Sequence, residues 1–430
     1  MPPALLKTRL SAMMFLQYAA WGAWLPFLWS FLSGHRGMDP GQIGDMFAAG
    51  AVGAIIGPFV AGQVADRYFS TERFLALSHL LGAALIWQLA SIDSYQGFLI
   101  FSLLYGVVYA PTMSLTNSLA FHHLEDRDRD FGQVRLWGTF GWIAVGLAMG
   151  HWLAFRHTPA TGTEEAIALA QVAGKADAFR LSAIISLIMG LYCLTLPNTP
   201  PSRDEQSNAA LGACGEAMRQ PLLALFLVAV PVSCIHQFYF VHTEAFLGTL
   251  QVSAPEWSKT LFGVGGGGLM TVGQMAEVLV LAAIPFLVAK GISRKSFLAV
   301  GLVAYGLRMF LFAYVDVLPF PVMTTLLMGI ALHGLCFGCF IFVAFMIVDE
   351  NTSDSVRASA QNLFNLVIVG IGVIVGSKIA GRVAEWASDT AEAGNHLDYS
   401  RRLFSVPMWA SLAVLVLLFL IYPSSRREVT

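Results

Sequence analysis

Charge is what this chain has least of. Asp, Glu, Lys and Arg make up 12% of its 430 residues, about half of the roughly 25% usual in soluble globular proteins. So little charge cannot keep a chain of this length in water. Catalytic signatures are missing too. No HExxH, GxSxG or GxxxxGK[ST] string occurs, which leaves zinc-peptidase, serine-hydrolase and P-loop chemistry without their residues. No other nucleophile–base or metal set stands out, so neither an enzyme nor a bound cofactor or metal is expected. Cysteine is scarce, with five residues in all. Cys336 and Cys339 have CxxC spacing but lie in an apolar helix with no second pair, so they read as small core residues. No basic block accompanies the net charge of −2, and a nucleic-acid partner is not expected.

What the chain has instead is hydrocarbon. Hydrophobic residues make up 56% of it and the mean hydropathy is +0.66. Apolar stretches of about 18 residues or more recur throughout, each long enough to cross a bilayer as a helix. Lys7 and Arg9 precede the run "LSAMMFLQYAAWGAWLPFLWSFL". It exceeds the roughly 7–15 residues of a signal-peptide core and lacks a cleavage site, so it reads as a retained first helix. The periodicity predicts about twelve spans, over 10–32, 42–64, 74–93, 97–122, 133–155, 179–197, 221–248, 261–289, 296–315, 320–348, 359–385 and 404–422. The polar, proline-bearing stretch 198–220 separates the first six from the second six. The expected organisation is a six-helix bundle over 1–197, a linker over 198–220 and a second bundle over 221–430. With both termini inside, fourteen Lys and Arg residues fall in inner segments and seven in outer ones, Lys175 among the seven. That bias fits a cytoplasmic placement of both ends.

The halves resemble each other weakly. "GPFVAGQVADR" at 57–67 is echoed by "IPFLVAKGISR" at 284–294, an offset of 227. At an offset of 228, Tyr105-Gly106 matches His333-Gly334 and Gln133 matches Gln361. A parallel duplication of six helices is the architecture of major facilitator transporters. "GQVADRYFSTER" at 62–73 resembles that superfamily's inner loop, with Gly62 at the turn. Asp66 and Arg67 are its candidate conformational gate, Asp66 because a carboxylate is favoured at a helix N-terminus. The fold class is therefore an all-α polytopic membrane protein with the major facilitator fold. Without a nucleotide motif, coupling to an ion gradient is the default.

Ionisable groups inside a bilayer are costly, so they mark interior faces and ligand or ion sites. Glu277 is the sole charge in "LMTVGQMAEVLVLAAIPFLVA". Gln274 lies three residues before it on the same helix face. An amide beside a carboxylate can hold a neutral polar ligand, and burial favours a protonated carboxyl. The alternative is a structural contact between helices. Arg135, Thr139 and Trp142 recur at i, i+4 and i+7, although Arg135 sits where it can snorkel to the interface. Gln17, Trp21 and Trp24 form a similar stripe, which suits a planar or sugar-like ligand as well as it suits packing. Tyr109 and Asn117, eight residues apart, share a face of the helix that contains Pro111, which can kink it. Gln237 is a good group for a neutral ligand. His79 fits packing, and His236 fits packing better than a proton relay. Arg308 needs a partner or water, and an interhelical role and a ligand role are equally open to it. His333 opens a glycine-rich stretch able to border a cavity. The glycine run 265–268 reads as a flexible helix start, since no Lys-Ser/Thr follows it to hold phosphate.

These residues carry a resemblance. "FLQYAAWGAWL", "YAPTMSLTN", "VRLWGTFGW", "QMAEVLVLAAIPFL", "LRMFLFAY" and "VRASAQNLF" make the chain similar to the nucleoside:proton symporter family of the major facilitator superfamily. The resemblance implies a central cavity that holds nucleosides by hydrogen bonds and aromatic contacts, with proton entry driving uptake. It implies ligand contacts at Gln237, Gln274, Glu277, Arg135, Thr139 and Phe337, with Glu277 also the proton-coupling group. Gln17, Trp21, Asn117 and His333 are further substrate-binding candidates from the span analysis. Characterised members have an aspartate after the phenylalanine matched by Phe337; here Gly338 stands there. They have an asparagine three residues after the matched glutamine, where this chain has Phe240, and a tyrosine at the position of His333. Expected partners are a nucleoside or similar small molecule, protons and the bilayer, with the chain a monomer in a bacterial inner membrane. A carrier for another sugar-like metabolite and a non-transporting sensor on the same fold remain alternatives.

Overall fold

The computed structural model describes residues 2–60, 70–200, 207–353 and 356–423. Among them every regular element is helical. The candidate gate residues Asp66 and Arg67 lie outside the described residues.

The first span is two helices, α1 (Pro3–Trp24) and α2 (Leu28–Gly34), joined by a 3-10 turn over Leu25–Phe27. Pro26 accounts for the break, because proline cannot supply the amide an α-helix needs there. Then follow α3 (Pro40–Val60), α4 (Thr71–Leu89), α5 (Tyr95–His123) and α6 (Arg127–Arg156). Next come α7 (Glu164–Gly174) and α8 (Ala176–Cys193). The sequence reading left 156–178 as a connection; instead α7 nucleates on Thr163, whose hydroxyl accepts the Ala166 amide. Glu164 and Glu165 complement the dipole in its first turn.

The expected linker holds a short helix, α9 (Ser207–Ala217). Then come α10 (Leu222–Gln251), α11 (Glu256–Phe262), α12 (Gly267–Ala289) and α13 (Arg294–Ala313). α14 (Val322–Leu335) and α15 (Val343–Glu350) are joined by a π-helical stretch, Cys336–Phe342. α16 (Arg357–Asn365) and α17 (Val373–Thr390) are joined by another, Leu366–Gly372. The chain ends on α18 (His396–Ile421). Among the described residues nine helices are both long and apolar enough to cross a membrane. Leu279, Phe286 and Leu420 are more than 70% exposed. Lipid, unlike water, accepts such faces.

Two compact units emerge. One comprises Met1–Asp204 with Phe240–Thr271, the other Glu205–Tyr239 with Val272–Thr430. The first is built around Leu10, Met13, Phe74, Leu75 and Leu119, with a satellite of Phe27, Met149 and Leu153. The second is built around Leu225, Val228, Leu298, Tyr305, Phe340 and Ile347.

The weak repeat has a physical counterpart. In the first unit α5 crosses α3 where Gly106 meets the Gly50 carbonyl; a Cβ there would lie 2.8 Å from that oxygen. In the second unit α14 crosses α12 where Gly334 meets the Ala276 backbone at 2.5 Å by the same measure. Small residues let helix backbones approach in membranes. The residue before each glycine, Tyr105 or His333, is a buried ring. The matched dipeptides are therefore equivalent helix crossings.

The glycine run is pinned rather than flexible, which corrects the sequence expectation. Gly265 and Gly266 have φ of 83° and 85°, a region that disfavours side chains. The Gly266 amide donates to Gln251 Oε1 at 3.0 Å, and Gln251 Nε2 donates to the Gly263 carbonyl at 2.8 Å. A Cβ on Gly267 would strike the Phe27 ring. The run thus starts α12 close against Phe27 of the 3-10 turn and against α6.

Candidate functional site

In the second unit the Glu277 carboxylate has neighbours that spacing alone could not supply. Close approach of α12 to α14 at Gly334 brings Glu277 beside His333. Glu277 Oε2 lies 3.7 Å from His333 Nε2, and the Glu277 side chain is 13% exposed. On the other side of the ring, Arg308 Nη1 is 3.2 Å from His333 Nδ1. A guanidinium only donates, so Arg308 is the donor and Nδ1 the acceptor. Arg308 is completely buried. Its guanidinium lies over the Tyr239 ring at 4.3 Å and near the Tyr305 ring at 5.1 Å. Aromatic faces offer a buried cation electrostatic stabilisation that a lipid-like interior lacks. Nε and Nη2 of Arg308 have no hydrogen-bond partner among the described residues.

Rings from α10 and α14 stack around this core. His333 stacks on Tyr239 at 4.6 Å and on His236 at 5.5 Å. Tyr305 OH and His236 Nδ1 are 2.6 Å apart. His236 is thus part of this cluster as well as a packing residue. Phe337, half-buried at the π-helical stretch, lies 6.4 Å from His333. π-stretches concentrate at functional sites, where they re-aim side chains.

Gln274 is buried on the same face as Glu277, and its Oε1 has no partner among the described residues. It is therefore available to a ligand donor. Gln237 is also buried, and its Nε2 donates to Ser377 Oγ at 3.1 Å, which ties α10 to α17. Gly338 does not mark an open space. A Cβ there would lie 2.6 Å from Val280 Cγ1, so an aspartate would need the Val280 side chain to give way. Cys336 and Cys339 are buried free thiols in the apolar core.

In the first unit, α6 lies against α1 across glycines. A Cβ on Gly141 would overlap the Phe15 carbonyl, and one on Gly138 would lie 2.6 Å from the Tyr18 ring. This contact orients the polar stripe of α6. The Arg135 guanidinium lies over Tyr18 at 3.9 Å. Trp21 meets Trp142 edge-on at 5.4 Å, and Trp142 meets Phe240 at 6.2 Å. Thr139 is half-buried between these levels of the helix. Arg135, Thr139, Trp21 and Phe240 thus occupy one region of this unit.

Gln17 belongs elsewhere. It is fully buried, and its Nε2 donates to Thr112 Oγ1 at 2.8 Å. Its Oε1 accepts from His79 Nε2 at 2.8 Å, and its backbone carbonyl accepts Tyr109 OH at 2.6 Å. Both ends of the amide are committed, so Gln17 holds α1, α4 and α5 together. Asn117 is half-buried, and its Oδ1 has no partner among the described residues.

One polar group escaped the sequence reading. Glu244 on α10 is wholly buried and forms an ion pair with Lys175 at 2.7 Å; the lysine is 3% exposed. Ser30 Oγ donates to Glu244 at 2.5 Å and accepts from Lys175 Nζ at 2.8 Å. Lys175 was expected as an outer-segment cation; it is an internal one. The signal was present, because Glu244 is as isolated in its apolar helix as Glu277 is in α12. Nearby Trp29 meets His242 edge-on at 4.3 Å.

Comparison with known proteins gives this arrangement its context. The family model for the nucleoside H+ symporter matches residues 5–427. YegT of Escherichia coli (strain K12), itself assigned to nucleoside transport only provisionally, is 30% identical over 98% of this chain and 95% of its own. The nucleoside permease NupG of the same organism is 26% identical over 88% of each chain. The crystal structure of nucleoside transporter NupG superposes with a TM-score of 0.81 at 24% identity, covering 98% of this chain and 100% of that one. At that identity the superposition speaks for the fold. With the family model spanning nearly the whole sequence, the chain belongs to the nucleoside H+ symporter family.

Proposed function

We propose that this multi-pass membrane protein takes up nucleosides by alternating access, with proton entry supplying the driving force. Within that reading, Gln274, Glu277, Gln237 and Phe337 of the second unit contact substrate, together with Arg135, Thr139, Trp21 and Asn117 of the first. Glu277 carries the proton. Gln17 supports the site by packing, and Asp66 with Arg67 gates the cycle. The chain acts as a monomer in a bacterial inner membrane with both termini in the cytoplasm.

The observation that carries the proposal is the environment of Glu277. A carboxylate in a span is expensive unless it is neutralised or used. Here it stands one turn from the buried amide of Gln274, whose oxygen has no partner among the described residues. That set offers both donors and acceptors, as a ribose or base edge requires. A site that hydrogen-bonds its ligand rejects analogues lacking those groups by large factors.

The test is uptake of radiolabelled uridine and adenosine into proteoliposomes, with and without an inward proton gradient. Gradient-dependent uptake by the wild type, lost in Glu277→Gln, is the expected result. Folded protein that accumulates neither nucleoside would refute the substrate assignment. Full gradient-driven accumulation by Glu277→Gln would remove Glu277 as the obligatory proton carrier.

A further inference from the structure

We propose that His333 is a positioning residue for Glu277 that carries no transported proton, because Arg308 fixes its tautomer. The inference rests on the preceding assignment of proton coupling to Glu277.

The argument is one of donors and acceptors. Arg308 is fully buried and permanently charged. Its Nη1, 3.2 Å from His333 Nδ1, can only donate, so Nδ1 must present its lone pair. A neutral imidazole has one N–H, and with Nδ1 accepting, the hydrogen sits on Nε2. That is the nitrogen facing Glu277 Oε2 at 3.7 Å, longer than a hydrogen bond but close enough for its N–H dipole to act on the carboxylate. His333 therefore presents a donor to Glu277 and an acceptor to Arg308.

The surroundings oppose a second proton on the ring. From α13 the ring faces the Arg308 cation and Tyr305; from α10 it faces His236 and Tyr239, which stack on it at 5.5 and 4.6 Å. From α12 it faces Glu277. Cys336 and Phe337 follow it on its own helix. Protonating Nδ1 would break the Arg308 hydrogen bond and set two cations 3.2 Å apart between side chains that are both buried. His333 thus relays the Arg308 position to the carboxylate and does not relay protons.

Glutamine separates the two roles. In His333→Gln the amide oxygen can accept from Arg308 and the amide nitrogen can donate toward Glu277, but no group can take up a proton. His333→Ala removes both contacts. Gradient-driven uridine accumulation and gradient-free uridine counterflow are measured for each, with pH profiles. His333→Ala is expected to lose roughly tenfold or more in accumulation, the scale of a lost orienting partner, and to change its pH profile. His333→Gln is expected to restore both activities and the wild-type pH profile. A His333→Gln protein that keeps counterflow but loses accumulation would make His333 a proton carrier and overturn the proposal. A folded His333→Gln protein as impaired as His333→Ala in both assays would overturn the donor–acceptor geometry.

A second readout is independent of the substrate. Nitrogen NMR of imidazole-labelled protein, with His333 assigned by its loss in His333→Gln, is expected to show a neutral ring protonated at Nε2. That signal should stay unchanged across about pH 5–8, where an ordinary histidine titrates. Titration in that range, or a proton on Nδ1, would refute the inference. If the wild type transports neither nucleoside, the proposed function fails while the NMR result still decides the role of His333.

Discussion

Lys175 and Glu244 offer a quantitative test of the first unit. Lys175→Met removes the ammonium 2.7 Å from Glu244 and leaves a completely buried carboxylate with Ser30 as its remaining donor. Breaking a buried ion pair from one side costs about 3–5 kcal/mol, because the surviving charge keeps its desolvation penalty and loses its compensation. Glu244→Leu strands the lysine in the same way. The double variant Lys175→Met/Glu244→Leu removes both charges and should recover most of the loss, since buried pairs replaced by apolar side chains are often neutral to stabilising. Thermal unfolding of purified protein in detergent reads the effect. For a folding unit of this size, about 1 kcal/mol moves the midpoint by roughly 2–4 °C, so each single variant should fall by on the order of 10 °C. The double variant should lie well above either single one. The coupling in this cycle should be at least about 2 kcal/mol, near the upper part of the range for residues in contact. Two near-neutral single variants, or a double variant that is simply additive, would refute the assignment of a paired internal charge.

Other outcomes follow from the same geometry. Gly141→Leu should abolish folded protein in a detergent size-exclusion assay, while Gly132→Leu should not. A side chain at Gly141 meets the Phe15 backbone, whereas nothing lies within 4 Å of a Cβ at Gly132. Glu216 accepts from the Ser353 hydroxyl and amide at 2.7 and 3.0 Å. These bonds hold its carboxyl below the usual value, so its contribution is present above the ordinary glutamate range of about 4.3 and fades as pH falls through its lowered value. Hydrogen exchange should show α9 protected at neutral pH and released in acid, and Glu216→Ala should show that release already at neutral pH.

The fold was legible because hydropathy reports the solvent each stretch requires, and twelve apolar runs leave few arrangements open. Breaks inside runs were less legible. The run 261–289 looks continuous because glycine is neutral on a hydropathy scale. Its interruption at Gly265 and Gly266 depends on positive φ values, which composition does not encode. The run 10–32 reads as one continuous helix although it contains Pro26, and the turn between α1 and α2 falls at that proline. Helix α7 was missed because its apolar face is short; its start depends on the Thr163 cap and two glutamates, a local signal that hydropathy averages away.

The candidate site was legible where chemistry is rare and obscure where it is relational. An isolated Glu277 in an apolar span announces itself, and so does Gln274 one turn earlier. Glu244 carries the same signal in α10, yet its meaning depends on Lys175, 69 positions away in the sequence, and no spacing rule joins them. Gln17 and Gln274 look alike as single amides in apolar helices. Contacts separate them: His79 and Thr112 occupy both ends of Gln17, whereas Gln274 keeps a bare oxygen. Arg308 and His333 are the sharpest case. Alone, His333 reads as a residue bordering a cavity and Arg308 as a buried cation in need of a partner. Placed 3.2 Å apart, the arginine removes the histidine's choice of tautomer, and the histidine in turn gives the arginine an acceptor inside hydrocarbon. Neither residue's chemistry follows from its own neighbourhood in the chain. It follows from the crossing of α12 and α14 at Gly334, where the absence of a side chain lets the two backbones approach and fixes which nitrogen faces Glu277.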